Sequence, residues 1–215
     1  MAPVTSVGRT GLENSDLGSA PRATDTETIE LIERHRRGDP TAFEAVVEMY
    51  SSSLFTMAFR MMGNREDAED LHQEVLLKVH SALGKFRGES SLRTWIFRIA
   101  VNAARNRVRW WNRLKRGHPI SLDAVDADAR PYADRIADPK PGPEGTTYGS
   151  EIQERVQQEL DQLPWNQRMV VVLRDIDGME YREIARTLEI SLGTVKSRLA
   201  RGRDALRHAL ADLLE

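Results

Sequence analysis

The stretch Tyr181–Leu199, YREIARTLEISLGTVKSRL, contains two short helical patterns and a tight turn between them. Tyr181, Ile184, Ala185 and Leu188 recur at i, i+3, i+4 and i+7, which places them on one face of a helix running from Glu180 to Leu188. Ile190-Ser191-Leu192-Gly193 reads as the turn, and a second helix begins at Thr194 with Val195, Leu199, Leu206 and Leu210 turned inward. A small residue at Ala185 lets the two helices approach closely, which is the layout of a helix-turn-helix. Lys196, Ser197, Arg198, Arg201 and Arg203 remain on or beside the outer face. A helix fits the DNA major groove, where cations meet phosphates or the acceptor edge of guanine. The alternative is a plain helical hairpin with a solvated basic face. The coincidence of turn, small residue and clustered cations favours DNA.

Outward from this motif the periodicity stays helical. Residues 150–162 and 166–175 form two further helices, separated at Leu163-Pro164, with Met169, Val170, Val172 and Leu173 inward. Between Gly117 and Gly149 the apolar pattern fades and Pro119, Pro131, Pro139, Pro141 and Pro143 cluster with Asp and Gly, as in a flexible linker. Residues 26–116 read as four helices. The first, residues 26–37, turns Ile29, Ile32 and Leu31 inward and stops at Gly38-Asp39-Pro40. The second runs from Thr41 to Met62 and the third from Arg65 to Leu83. Ser91 is the N-cap of the fourth, which spans Leu92 to Lys115. No segment alternates as a strand. The expectation is an all-α chain of two small helical domains, residues 26–116 and 150–215, joined by a linker over 117–149 and preceded by a disordered tail over 1–25.

Composition narrows the function classes. A hydrophobic content of 40% supports real cores, so the chain is not disordered overall. The formal net charge of -2 does not by itself suggest a nucleic-acid ligand, so the distribution of charge has to be read. There are 0 cysteines, which excludes disulfides, thiolate zinc sites and thiol nucleophiles. The start of the chain has no apolar core of signal-peptide length, and no apolar run approaches the ~20 residues of a membrane helix. A soluble cytoplasmic protein without membrane insertion is the expectation. The histidines show no metal spacing and no glycine-rich phosphate loop follows a strand, so neither an enzyme, a metal site nor a cofactor is expected.

The fourth helix carries Arg93, Arg98, Arg105, Arg107, Arg109, Arg113, Lys115 and Arg116 with no acid at all. It also carries Trp95, Phe97, Trp110, Trp111, Asn102 and Asn106. Cations track a phosphate backbone, aromatic planes stack on unpaired bases, and Asn reads base edges. Trp95 and Phe97 are equally suited to a core. The third helix opens with the opposite sign: Glu66, Asp67, Glu69, Asp70, then Gln73 and Glu74. Helix-dipole electrostatics account for the first of these acids. Asp70, Gln73 and Glu74 share a face at i, i+3 and i+4, which suits a protein-docking patch.

These segments resemble a known family. Asp67-Ala-Glu-Asp-Leu-His-Gln-Glu-Val75 and Phe86-Arg-Gly-Glu-Ser-Ser-Leu-Arg-Thr-Trp-Ile-Phe-Arg-Ile-Ala-Val-Asn-Ala-Ala-Arg-Asn106 look like region 2 of the extracytoplasmic function (ECF) sigma factors of bacterial RNA polymerase. Leu163-Pro164, Leu173-Arg-Asp-Ile-Asp-Gly178 and Tyr181–Arg203 look like their region 4, in family order. The resemblance implies promoter-specific initiation, with core polymerase, through its β′ clamp helices and β flap, and promoter DNA as partners. Asp70, Gln73 and Glu74, supported by Leu71 and Val75, would dock on the clamp helices. Phe86, Arg87, Gly88, Ser90 and Ser91 would form the loop that holds a flipped base of the -10 element. Asn102, Arg105 and Asn106 would line the strand path. Thr194, Lys196, Ser197, Arg198, Arg201 and Arg203 would read the -35 element as duplex. An anti-sigma factor is a further implied partner. The other function class, an autonomous helix-turn-helix regulator, requires tight duplex binding without polymerase, and the basic aromatic helix speaks against it.

Overall fold

A computed structural model describes residues 25–116 and 147–213, and all of the elements among them are helical. The N-terminal lobe is α1 (Asp25–Arg36), α2 (Pro40–Met62), α3 (Arg65–Leu83) and α4 (Leu92–Arg116). The C-terminal lobe is α5 (Thr147–Gln162), α6 (Trp165–Val171) continued by a π-helical turn (Val172–Ile176), α7 (Tyr181–Leu188), α8 (Leu192–Ala209) and a short 3-10 turn (Ala211–Leu213). The tail and most of the stretch read as linker lie outside the described residues. Helix α5 starts at Thr147, three residues inside that stretch.

Local chemistry sets the ends. The Asp39 carboxylate accepts from the Thr41 amide, and Pro40 at the first helical position loses no hydrogen bond that α2 needs. Gly63 closes α2 in the left-handed region at φ 79°, where its amide donates to the Phe59 carbonyl. Asn64 then caps α3 by accepting from the Asp67 amide at 2.9 Å. Ser191 rather than Gly193 ends the helix-turn-helix turn: its Oγ accepts from the Thr194 amide at 3.0 Å, so α8 begins two residues before the expected Thr194. In α1 the inward residues are Thr28, Leu31 and Ile32, while Ile29 is exposed. The inward expectation for Ile29 fails because the apolar face of that helix is rotated by one position.

Both lobes share one continuous apolar core, from Leu54, Met57, Met61 and Met62 of α2 through Leu71, Val75 and Val79 of α3 to Leu163, Trp165 and Met169. Helices α6 and α8 cross closely at Gly202, where an added Cβ would lie 2.7 Å from Val171 Cγ2. This close approach is what seats α8 with its cationic face outward.

Candidate nucleic-acid and protein-docking surfaces

On α3, Leu71 and Val75 are fully buried, so they anchor the helix from beneath, while Asp70 and Gln73 are exposed and Glu74 is half-exposed. The face contains a residue that charge patterning missed. Leu77, one turn beyond Gln73 and two beyond Asp70, is 73% exposed among these polar side chains. The spacing from Asp70 and Gln73 was its only signal in the sequence.

The acids on α3 are not free of partners. Arg107 of α4 reaches across to Asp67 at 3.7 Å, Asp70 at 3.4 Å and Glu74 at 3.8 Å. Lys78 also pairs with Glu74. A groove of about 580 Å³ follows this line, with Asn64, Asp67 and Asp70 on one wall and Asn106, Arg107 and Trp110 on the other. Arg107 thus links the acidic face of α3 to the basic helix α4.

The loop before α4 divides into a fixed part and an open part. Phe86 is buried and packs edge-on against Trp95, with ring centroids 5.3 Å apart. The Arg36 guanidinium donates to the Phe86 carbonyl at 3.1 Å and to the Gly84 carbonyl at 2.8 Å, pinning the loop base. Arg87 and Gly88 are exposed beyond it, Gly88 at φ 74°, and Ser90 is half-buried. Ser91 Oγ accepts from the Thr94 amide at 3.1 Å, the expected cap of α4. Along α4, Asn102 and Asn106 are exposed and Arg105 is half-buried. Phe97 is core and Trp95 partly so, whereas Trp110 is exposed.

On α8, Lys196, Ser197 and Arg201 are exposed and Arg198 is half-buried. Thr194 uses its amide and hydroxyl in the cap with Ser191. Arg203 is held by both oxygens of Asp175, through Nε at 3.0 Å and Nη2, a pairing that raises the pKa of its guanidinium. That residue is therefore committed within the lobe, and the free cations of the outer face are Lys196 and Arg201 with the edge of Arg198. Burial, and then the adjacent Arg105 charge, lower the pKa of Arg198. Burial and then Arg109 do the same to Arg105, while Glu189 opposes the shift. Among the described residues no group of three or more His or acidic side chains is arranged to hold a metal ion, and no helix is long and apolar enough to cross a membrane.

Comparison with known proteins gives the same two modules. The families described as Sigma-70 region 2 and Sigma-70, region 4 match residues 46–113 and 153–206. The chain is 35% identical to the RNA polymerase sigma-H factor of Pseudomonas aeruginosa over 193 residues, 89% of this chain and 97% of that protein. It is 35% identical to the ECF RNA polymerase sigma factor SigW of Bacillus subtilis, over 85% of this chain and 96% of that one. Identity to the ECF RNA polymerase sigma-E factor of Escherichia coli is 33%, over 86% and 94%. Two solved structures share the fold. The sigma factor RpoE of Bartonella quintana, solved with the anti-sigma factor NepR, matches at a TM-score of 0.62 and 24% identity, over 79% of this chain and 96% of that one. CnrH, solved with the cytosolic domain of CnrY, matches at 0.60 and 23%, over 87% and 99%. With both modules matched in order and identities above 30% along most of its length, the chain belongs to the ECF sigma factors of RNA polymerase.

Proposed function

We propose that each of the three surfaces has a separate task in promoter-specific initiation. The α3 face of Asp70, Gln73 and Glu74, with Leu77 at its C-terminal end, docks on the clamp helices of core polymerase. The loop of Phe86, Arg87, Gly88, Ser90 and Ser91 and the α4 residues Asn102, Arg105 and Asn106 hold the unpaired strand of the -10 element. Phe86 acts from below, as the buried base of that loop. Thr194, Lys196, Ser197, Arg198 and Arg201 engage the -35 duplex, Thr194 by fixing the helix start. Arg203 supports α8 through Asp175. The protein catalyses no bond change: contacts to an extruded base offset the few kcal/mol that unstacking costs. It acts in the cytoplasm and is held in check by an anti-sigma factor.

The observation that carries this reading is the sorting of charge by face. Helix α3 presents acids and, one turn on, an exposed leucine, whereas α4 and α8 present cations with Asn and Ser. On this reading acids mark the protein-binding face and cations the two nucleic-acid faces, the first two adjoining along the Arg107 groove. Asp70→Lys with Glu74→Lys tests it. Retention of core polymerase in a pull-down should drop to background while the far-ultraviolet circular dichroism stays that of the parent, because the change removes the Arg107 and Lys78 pairs but no core side chain. Undiminished retention would overturn the assignment of α3.

A further inference from the structure

Helix α1 carries none of the three surfaces, yet its last turn touches the loop before α4. The Arg36 fork is fully engaged there: Nε donates to the Gly84 carbonyl at 2.8 Å, Nη2 to the Phe86 carbonyl at 3.1 Å and Nη1 to Glu33 Oε1 at 2.7 Å. One rigid plane thus spans two carbonyls of the loop base, a geometry that a lysine ammonium does not match. Among the described residues no other side chain from outside the loop donates to the backbone of residues 84–90.

The seat of that fork is fixed from a second side. His35, Phe43 and His80 join α1 and the start of α2 to the last turn of α3, with the His80 ring centroid 5.4 Å from His35 and 4.7 Å from Phe43. An added Cβ at Gly84 would lie 3.8 Å from Arg36 Cγ and 3.9 Å from His35 Cδ2, so the chain leaves α3 in contact with α1. Beyond Phe86 the loop has little of its own to hold it. Arg87, Gly88 and Glu89 are exposed, and an added Cβ at Gly88 would meet nothing within 4 Å. The shape of the tip is therefore set from its two ends: the Ser91 cap of α4 on one side, and on the other the carbonyls that Arg36 holds.

We propose that Arg36 is a positioning residue for base selection: by fixing the Gly84 and Phe86 carbonyls it sets the mouth of the loop that takes the extruded base of the -10 element. This rests on the reading of that loop given above. Arg36 acts through the loop and touches no DNA itself. A loop already held in its binding geometry spends no binding energy on ordering, and its fixed shape is what rejects a wrong base. Without the fork the mouth loosens, and right and wrong bases are held more nearly alike. The loss falls on discrimination, whereas the sequence-independent binding supplied by the cations of α4 persists.

The test uses holoenzyme assembled from the full chain and core polymerase, immobilised at equal loading. A pool of single-stranded 20-mers with a randomised centre is bound, washed and sequenced. The parent should enrich one base at one position. Arg36→Ala should lower that enrichment about fivefold, the size of one net hydrogen bond, with little change in the total strand retained. Arg36→Lys should fall between the two, because an ammonium can reach one of the carbonyls. Arg37→Ala, exposed just beyond α1, removes the same charge and should keep the enrichment of the parent. Far-ultraviolet circular dichroism should be the same for all four proteins, since Leu31 and Ile32 still bury α1. Full enrichment by Arg36→Ala, or an equal fall in Arg37→Ala, would overturn the positioning role. So would a loss of total binding with the base preference intact. A parent that retains strands but enriches no base would remove the reading of the loop as well.

Discussion

Asp177 is the residue whose chemistry is most altered by its surroundings. Its side chain is buried, Oδ2 has no hydrogen-bond partner, and Arg93 approaches the other oxygen only to 3.9 Å. Burial pushes its pKa up to about 8, and the Arg93 charge offsets only part of that. A carboxyl whose folded-state pKa is raised stabilises the fold fully below its unfolded value near 3.8, and that contribution is lost as pH rises through about 8. Stability should therefore decline across this window. Asp177→Asn should flatten the decline and raise the melting temperature at pH 8 by about 2–4 °C, the shift that ~1 kcal/mol produces in a chain of this size. Calorimetry of both proteins from pH 5 to pH 9 checks it, and parallel pH profiles would refute the assignment. Nothing in the sequence pointed to this residue. Asp177 sits in a stretch matched to the family, Leu173–Gly178, but its burial depends on how the lobes meet. Local periodicity carries no record of that. The same holds for the ion pairs of Arg107 and Arg203: both cations read as nucleic-acid contacts, and the acids each one pairs with, on another element, are not legible from periodicity.

At the scale of the element, legibility follows the strength of local signals. The bounds of α3, Arg65–Leu83, agree with the sequence reading because Asn64 supplies a cap and Gly63 a left-handed stop. The segment after Pro164 is less regular than its apolar spacing suggests. It turns from α-helix to π-helix at Val172, and the Asp177 amide donates to the Val172 carbonyl. A one-residue widening leaves the apolar pattern nearly unchanged, so no periodicity count finds it. Helix α3 was legible as acidic, but Leu77 was not legible as exposed, since a leucine in an amphipathic helix is assigned to the core by default. It lies one turn beyond Gln73, at the end of the polar face of Asp70, Gln73 and Glu74, and is the apolar side chain that face offers a partner. Leu77→Asp should lower affinity for core polymerase by roughly tenfold or more, a loss of ~1–2 kcal/mol. The melting temperature should stay near that of the parent, because the residue buries little in the free chain. Competition binding against a labelled sigma factor measures it, and an unchanged affinity would move the docking centre away from this face.

Across the whole molecule the two lobes are joined by a seam whose deepest member is a charged group. Arg168 is fully buried, pairs with the Asp161 carboxylate at 2.9 Å and donates to the Met61 carbonyl at the end of α2. It also donates to the Asp161 carbonyl, and the same Asp161 side chain abuts Gly63, where an added Cβ would lie 2.6 Å from its Oδ1. One guanidinium thus ties α5 and α6 to the C-terminus of α2. Such a pair adds little net stability over apolar residues of the same shape, but removing one partner strands the other. Burial raises the pKa of Asp161 and Arg168 opposes that rise, so Arg168→Ala leaves a carboxylate whose ionisation becomes costlier. The expected loss is about 3–5 kcal/mol. The parent should unfold in urea as one transition, with tryptophan fluorescence and far-ultraviolet circular dichroism coinciding. In Arg168→Ala the Met61 carbonyl loses its donor across the seam. The lobes should then unfold separately, so the two probes part, with the fluorescence of Trp165 in the C-terminal lobe contributing to the earlier step. Asp161 in the variant keeps the Gln157 amide and the Arg60 charge but loses its nearest cation, so proton uptake relieves part of the penalty and the deficit should shrink as pH falls toward 5. A variant that unfolds in one coincident step with the parent's midpoint would show that the lobes are coupled elsewhere than through Arg168.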